Sequence, residues 1–116
     1  MYNLVSLIGR LTKDPEIITT DNNKKVSRIT LAVQRSYKNA EGIYEADFIR
    51  CVLWDGIASR VCEFVKKGDL IAVRGQLKSS VYEDDNKEKK YSTEVIVDKV
   101  VFLTNKKEDK APEEIN

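Results

Sequence analysis

A chain of 116 residues has room for one domain around one core, and 41% hydrophobic residues suffice to build it. The 34% charged residues sum to +1, which permits a polyanionic partner without demanding one, and a mildly basic stretch over 1–82 gives way to an acidic one over 83–116. There is no histidine, so the commonest general base and metal ligand are missing, and two cysteines cannot build a zinc cluster.

The N-terminal MYNLVSLIGRL has no charge ahead of its apolar stretch, and Gly9 and Arg10 interrupt it, so it does not read as a signal peptide. No apolar run is long enough for a membrane helix. Leu4–Leu11 reads as a first strand, apolar on both faces, with both faces expected to be covered. TKDPE is a loop stiffened by Pro15. IITTDNNKK reads as a short extended piece and a polar turn at Asp21–Asn23. Val26–Gln34 alternates, with Ile29, Leu31 and Val33 on one face and Arg28, Thr30, Ala32 and Gln34 on the other. SYKNAEGIYEA, with Gly42, reads as the tip of a long hairpin.

ADFIRCVLW, Ala46–Trp54, is the third long strand. Its period of two assigns Asp47, Ile49, Cys51 and Leu53 to the inside and Phe48, Arg50, Val52 and Trp54 to the outside. The period then changes. In WDGIASRVCEFVKKGD, Ile57, Val61, Phe64 and Val65 fall at helical spacing, with Asp55 as the expected N-cap and Gly68 as the stop. Leu70–Ser80 returns to a strand, with Ile71, Val73 and Leu77 inward and Arg74, Gln76, Lys78 and then Tyr82 outward. YEDDNKEKKY is a second polar hairpin tip. Thr93–Leu103 is the last strand, with a bulge expected at Asp98–Lys99. TNKKEDKAPEEIN cannot bury itself and reads as a disordered polar tail. Cys51 on an inner strand face and Cys62 on the helix read as reduced, packed thiols of a cytoplasmic protein.

Three strands, one helix and two strands is the element order of an all-β fold with one short helix: a five-stranded OB-fold Greek-key barrel, its helix between strands 3 and 4. The domain is expected over 1–103 and the tail over 104–116. Catalysis is not expected. The acids Asp47, Asp55 and Asp69 are scattered, and GRLTKDPE lacks the Gly-Lys-Ser/Thr ending of a phosphate loop. No cofactor or metal is implied.

The outward residues do form a pattern: Phe48, Arg50 and Trp54 on the third strand, Arg74, Lys78 and Tyr82 on the fourth, Tyr37 and Tyr44 by the first hairpin tip. Flat rings interleaved with cations suit unpaired bases and their phosphates. A plainer reading stands beside it. Phe48 and Trp54 can pack under the helix or against another subunit, the tyrosines can be cross-strand pairs, and Lys66–Lys67 can serve the helix dipole. Arg50, between the two aromatics, weighs against burial, because a buried arginine needs a partner. A protein-docking module and a sugar-binding barrel remain open at this point.

LIGRLTKDPE (7–16), ITLAVQRSY (29–37), ADFIRCVLW (46–54), FVKKGDLIAVRGQL (64–77) and YSTEVIVD (91–98), in this order and spacing, resemble the bacterial and phage single-stranded DNA-binding proteins of the homotetrameric OB-fold type. The resemblance implies coating and protection of single-stranded DNA with little sequence preference, in replication, recombination and repair. It puts the base-stacking aromatics on Tyr37, Phe48, Trp54 and Tyr82, and the phosphate contacts on Arg50, Lys67 and Lys78. It implies a homotetramer, or else a dimer, with the first strand pairing between subunits. Family members in cells continue into a Gly/Gln/Pro-rich linker and an acidic tip that recruits replication and repair enzymes. This sequence stops at APEEIN, so recruitment through such a tip is not expected, and the chain reads as a short form: a paralogue, a phage or plasmid copy, or a truncated piece. Asp55 after Trp54, and Ser79–Ser80, dilute the positive charge, so weaker or more salt-sensitive binding is expected.

Overall fold

The structure, a computed structural model, describes residues 1–104 and 113–115. Its elements are β1 (Val5–Leu11), β2 (Ile18–Thr19), β3 (Lys25–Lys38), β4 (Tyr44–Trp54), α1 (Asp55–Phe64), β5 (Leu70–Glu83), β6 (Lys89–Thr104) and β7 (Glu113–Ile115). Strands neighbour one another in the order β1-β5-β6-β4-β3-β2, and β1 also pairs with β3 through Arg10↔Ala32 and Leu11↔Leu31. That pairing closes β1, β3, β4, β5 and β6 into the expected five-stranded barrel, with α1 between its third and fourth strands. Closure removes the exposed sheet edges that so many apolar strands would otherwise present.

Alternation fills the barrel. Leu11, Ile29, Leu31, Cys51, Leu53, Ile71, Val73, Val95 and Val97 point inward, and Ala58, Val61 and Val65 pack onto them from the helical segment. The expected bulge is present: Arg74 pairs with Lys99 and Gly75 with Val97, leaving Asp98 without a cross-strand partner. Gly75 is required there, since a Cβ would overlap the Ile96 carbonyl.

The helix differs from expectation at both ends. Its N-cap is Trp54, with no side-chain cap bond, and Asp55 is the first helical residue. The Asp55 carboxylate instead accepts from the Lys25 amide at 3.2 Å, tying the helix to the start of β3. The helix ends at Phe64, where the Val65 amide donates to the Val61 carbonyl. Gly68, expected as the stop, turns at φ 88° and donates to the Leu11 carbonyl at 2.8 Å, aligning β5 with β1. Phe64, at helical spacing with Ile57 and Val61, is 59% exposed, its ring 6.0 Å from that of Phe102.

Both hairpins are paired much further out than the polar composition of their tips suggests. Tyr44 pairs with Lys38, and Tyr82 with Lys90. The tips shrink to Asn39–Ile43 and Asp84–Glu88, and they share one geometry with the β2–β3 turn. In each, the first residue's amide donates to the carbonyl four residues on, and the fourth residue's amide donates back to the first carbonyl. A side-chain oxygen of Thr20, Asn39 or Asp84 accepts from the fifth residue's amide. The fourth residue, Asn23, Gly42 or Lys87, takes positive φ. The two long arms therefore project beyond the barrel, which is why Leu77, expected inward, is 48% exposed.

One face of β1 lines the barrel through Val5, Leu7 and Leu11, and the other leaves Leu4 and Ile8 open in the single chain. Asn3 extends the β1–β5 ladder by both donating to the Leu77 carbonyl and accepting its amide. Cys51 is buried and Cys62 half-buried, and both are free thiols. Of the tail expected over 104–116, residues 105–112 and 116 lie outside the described residues; Glu113–Ile115 pair antiparallel with Val100–Phe102.

Candidate nucleic-acid interface

The outer face of β4 changes character along its length. Phe48 is 67% exposed because its neighbour across the ladder is the small Ala32. Arg50, next on the same face, is exposed opposite Thr30. The parallel pairs Cys51↔Val95 and Val52↔Ile96 bring β6 alongside, so Arg50 comes level with Glu94, and Glu94 is paired on its far side with Lys78 of β5. One row across four strands thus reads Lys78, Glu94, Arg50, Thr30. Phe48, Arg50 and Lys78 are brought together as the alternation requires, and Tyr82 stands four residues further along β5, 55% exposed on the arm.

Beyond Arg50 the expectation fails in part. Val52 has the outward parity but is only 3% exposed. Arg28 on β3 and Glu94 on β6 form an ion pair of 3.9 Å, and β4 lies between those two strands. The pair therefore spans the outer face of β4 beside Val52, which is opposite Arg28 in the ladder. Trp54, expected in solvent, is half-buried, because α1 turns back immediately after it. Its indole forms one wall of a cavity of about 350 Å³, shared with Ile57, Arg60, Val100 and Phe102.

Tyr37 is 64% exposed near the end of the β3–β4 arm. That arm is stiffened from within. The Arg35 guanidinium donates twice to the Asp47 Oδ1 and once to Oδ2, and again to Glu45 at 2.8 Å. These hydrogen bonds hold the Asp47 carboxyl below its ordinary range and push the Arg35 guanidinium upward, so the charges persist at any working pH. Lys38 lies 5.5 Å over the Tyr44 ring on the same arm. Lys67 is not brought to this patch. It is exposed in the turn before β5, its amide donating to Asp14 at 2.7 Å, and the β5 residues from Leu70 onward lie between it and Lys78.

Sequence reasoning missed Arg28, Glu94 and Arg35 as parts of this surface. Their partners lie on other strands, so only the register reveals them. Among the described residues no group of three or more His, Cys, Asp or Glu is placed to hold a metal ion. What the surface offers is stacking area and exposed cations, with Glu94 set among them.

The sequence matches the single-strand binding protein family over residues 2–103. Among similar curated proteins, the single-stranded DNA-binding protein B of Bacillus subtilis is 42% identical over 96% of this chain and 98% of its own length. The single-stranded DNA-binding protein 1 of Lactococcus lactis is 45% identical over 92% of this chain and 71% of its own. The single-stranded DNA-binding protein A of Bacillus subtilis is 46% identical over 91% and 62% respectively, so this chain spans less than two thirds of that relative.

Proposed function

This chain belongs to the single-strand binding protein family, and we propose that it coats single-stranded DNA with little sequence preference, holding it unpaired and protected. The observation that carries the reading is Phe48, two-thirds exposed beside Arg50 and in line with Lys78 on the outer barrel face. A large ring left in water gains little from folding, whereas a base stacked on it is worth about 1–3 kcal/mol whatever its identity. Duplex bases are already stacked on one another and cannot use such a ring. In this reading Phe48, Trp54, Tyr37 and Tyr82 receive bases. Arg50 and Lys78 follow the phosphates, and Lys67 meets a more distant part of the strand. The two arms extend the same surface and fold over the bound strand.

The assembly is a homotetramer. The support is the open outer face of β1, where Leu4 is 69% and Ile8 56% exposed, an apolar strip suited to a second copy of the chain. The protein acts in the bacterial cytoplasm, wherever replication, recombination or repair leaves a strand unpaired. It carries out no catalysis.

Fluorescence of Trp54, the only tryptophan, tests the reading during titration with a thymine oligonucleotide at low and high salt, and again with duplex. Quenching by the single strand alone, weakened by salt, is the expected result. An unchanged signal with every nucleic acid, in folded protein that also fails to bind a labelled oligonucleotide, refutes it and assigns the aromatic face to a protein partner.

A further inference from the structure

Resting on that reading, we propose that Glu94 is a built-in competitor for the phosphates of the bound strand, and that its carboxylate weakens binding by holding Arg28, a further cation beside the path of the strand, and by placing its own negative charge between Arg50 and Lys78. The position is specific. Glu94 lies between Lys78 on β5 and Arg50 on β4, and it is ion-paired across β4 with Arg28 at 3.9 Å. Three cations from three strands thus surround one acid in the middle of the exposed face. Among the described residues neither Arg50 nor Lys78 holds an ion pair of its own, while Arg28 is held by Glu94 alone.

The Glu94 side chain is 23% exposed and that of Arg28 is 62% exposed. The acid is the more buried partner and the arginine the more exposed one. A phosphate arriving beside Arg50 meets a carboxylate of its own sign and an arginine drawn toward that carboxylate. It competes with Glu94 for that guanidinium. An exposed pair of this kind adds little to folding. Its electrostatic effect on a polyanion crossing the same row is larger, because each phosphate contact that is lost also forfeits counterion release. The acid keeps the strand exchangeable: the aromatics hold the bases, and Glu94 limits the grip on the backbone.

The test is Glu94→Gln, which keeps the shape and removes the charge, titrated with a thymine oligonucleotide over a salt series. Freeing Arg28 adds about one phosphate contact, so the log–log salt slope steepens by about 0.7. The same slope predicts binding about fivefold tighter near 0.1 M salt, with the gain vanishing toward 1 M. In an Arg28→Gln background the gain from Glu94→Gln shrinks, since the freed guanidinium is no longer there. Thermal melting of each variant checks that the fold is intact, and the Arg28→Gln comparison still decides the matter if Glu94→Gln melts early. Wild-type protein that binds while Glu94→Gln leaves affinity and slope unchanged overturns this inference alone, as does a gain that salt does not alter. Wild-type protein that binds no single strand even at low salt overturns both the functional reading and this one.

Discussion

Replacing Phe48 by alanine separates a binding residue from a packing residue more cleanly than any other change on this face. Full burial of a phenylalanine side chain is worth about 1.5–3 kcal/mol. Phe48 is 67% exposed, so about a third of that, roughly 0.5–1 kcal/mol, is at stake in folding. Each kcal/mol moves the melting temperature of a domain this size by about 4–8 °C, so a drop of a few degrees is expected. The loss on binding is the stacking energy of about 1–3 kcal/mol, a roughly 5- to 150-fold weaker affinity for a thymine oligonucleotide. The assay pairs Trp54 fluorescence titration with a thermal melt, and Leu53→Ala supplies the core reference, expected to lose about 2–5 kcal/mol. A Phe48→Ala protein that melts as early as Leu53→Ala, or one that binds like the wild type, refutes the reasoning.

Three further outcomes follow from the backbone and the core. Gly75→Ala forces a Cβ against the Ile96 carbonyl at the bulge, and urea unfolding should register a loss of about 1–3 kcal/mol or more. Lys87→Gly relieves a left-handed residue at φ 59°; since that conformation costs a side chain about 1–2 kcal/mol, the β5–β6 arm should exchange its amides more slowly despite glycine's extra unfolded-state entropy. Burial pushes the Cys51 thiol up to about 12, above its unfolded value, so its contribution is fully present below about pH 9 and is lost as pH rises toward 12. Alkaline melts should show that loss, Cys51→Ala should flatten it, and a thiol reagent at pH 8 should reach Cys62 first.

The barrel was legible because its signal is local. Alternation in Val26–Gln34 and Ala46–Cys51 assigns each side chain to a face without reference to any other strand. The change to helical spacing after Trp54 places α1, and the disturbed parity at Asp98 already marks the bulge. What remained hidden depends on neighbours. Asp55 looks like an N-cap by type and position, yet the nearest unpaired donor turned out to be the Lys25 amide on another strand. The arm lengths were underestimated because SYK, YE and KKY are polar or amphipathic, and such residues pair as well as apolar ones where neither face is buried. The pairings of Arg28, Arg35 and Glu94 carried no signal, because an ion pair across strands is a property of register.

Trp54 shows how far one strand can hold two kinds of aromatic residue. At Phe48, β4 has only β3 beside it and the ring is wet. By Val52, β6 lies alongside in parallel, and the Arg28–Glu94 pair crosses above. At Trp54 the helix begins, and one side of the indole becomes the wall of a cavity facing Ile57 and Phe102. Trp54 is therefore only half-buried, with part of its surface left for the proposed base. A fully buried tryptophan costs about 3–5 kcal/mol when cut to alanine, so a half-buried one should cost about 1.5–2.5 kcal/mol. Trp54→Ala should lower stability and affinity together, in contrast to Phe48→Ala. Trp54→Phe should recover most of the stability, since a ring again lines the cavity, and part of the affinity, since the smaller ring offers a base less area. Denaturant unfolding and competition titration with a labelled oligonucleotide measure the two separately. If Trp54→Ala unfolds like the wild type while binding collapses, the indole touches only the strand and the cavity wall has no structural role. If stability falls with affinity untouched, Trp54 is core, and the bound strand runs from Phe48 toward the arms without passing it.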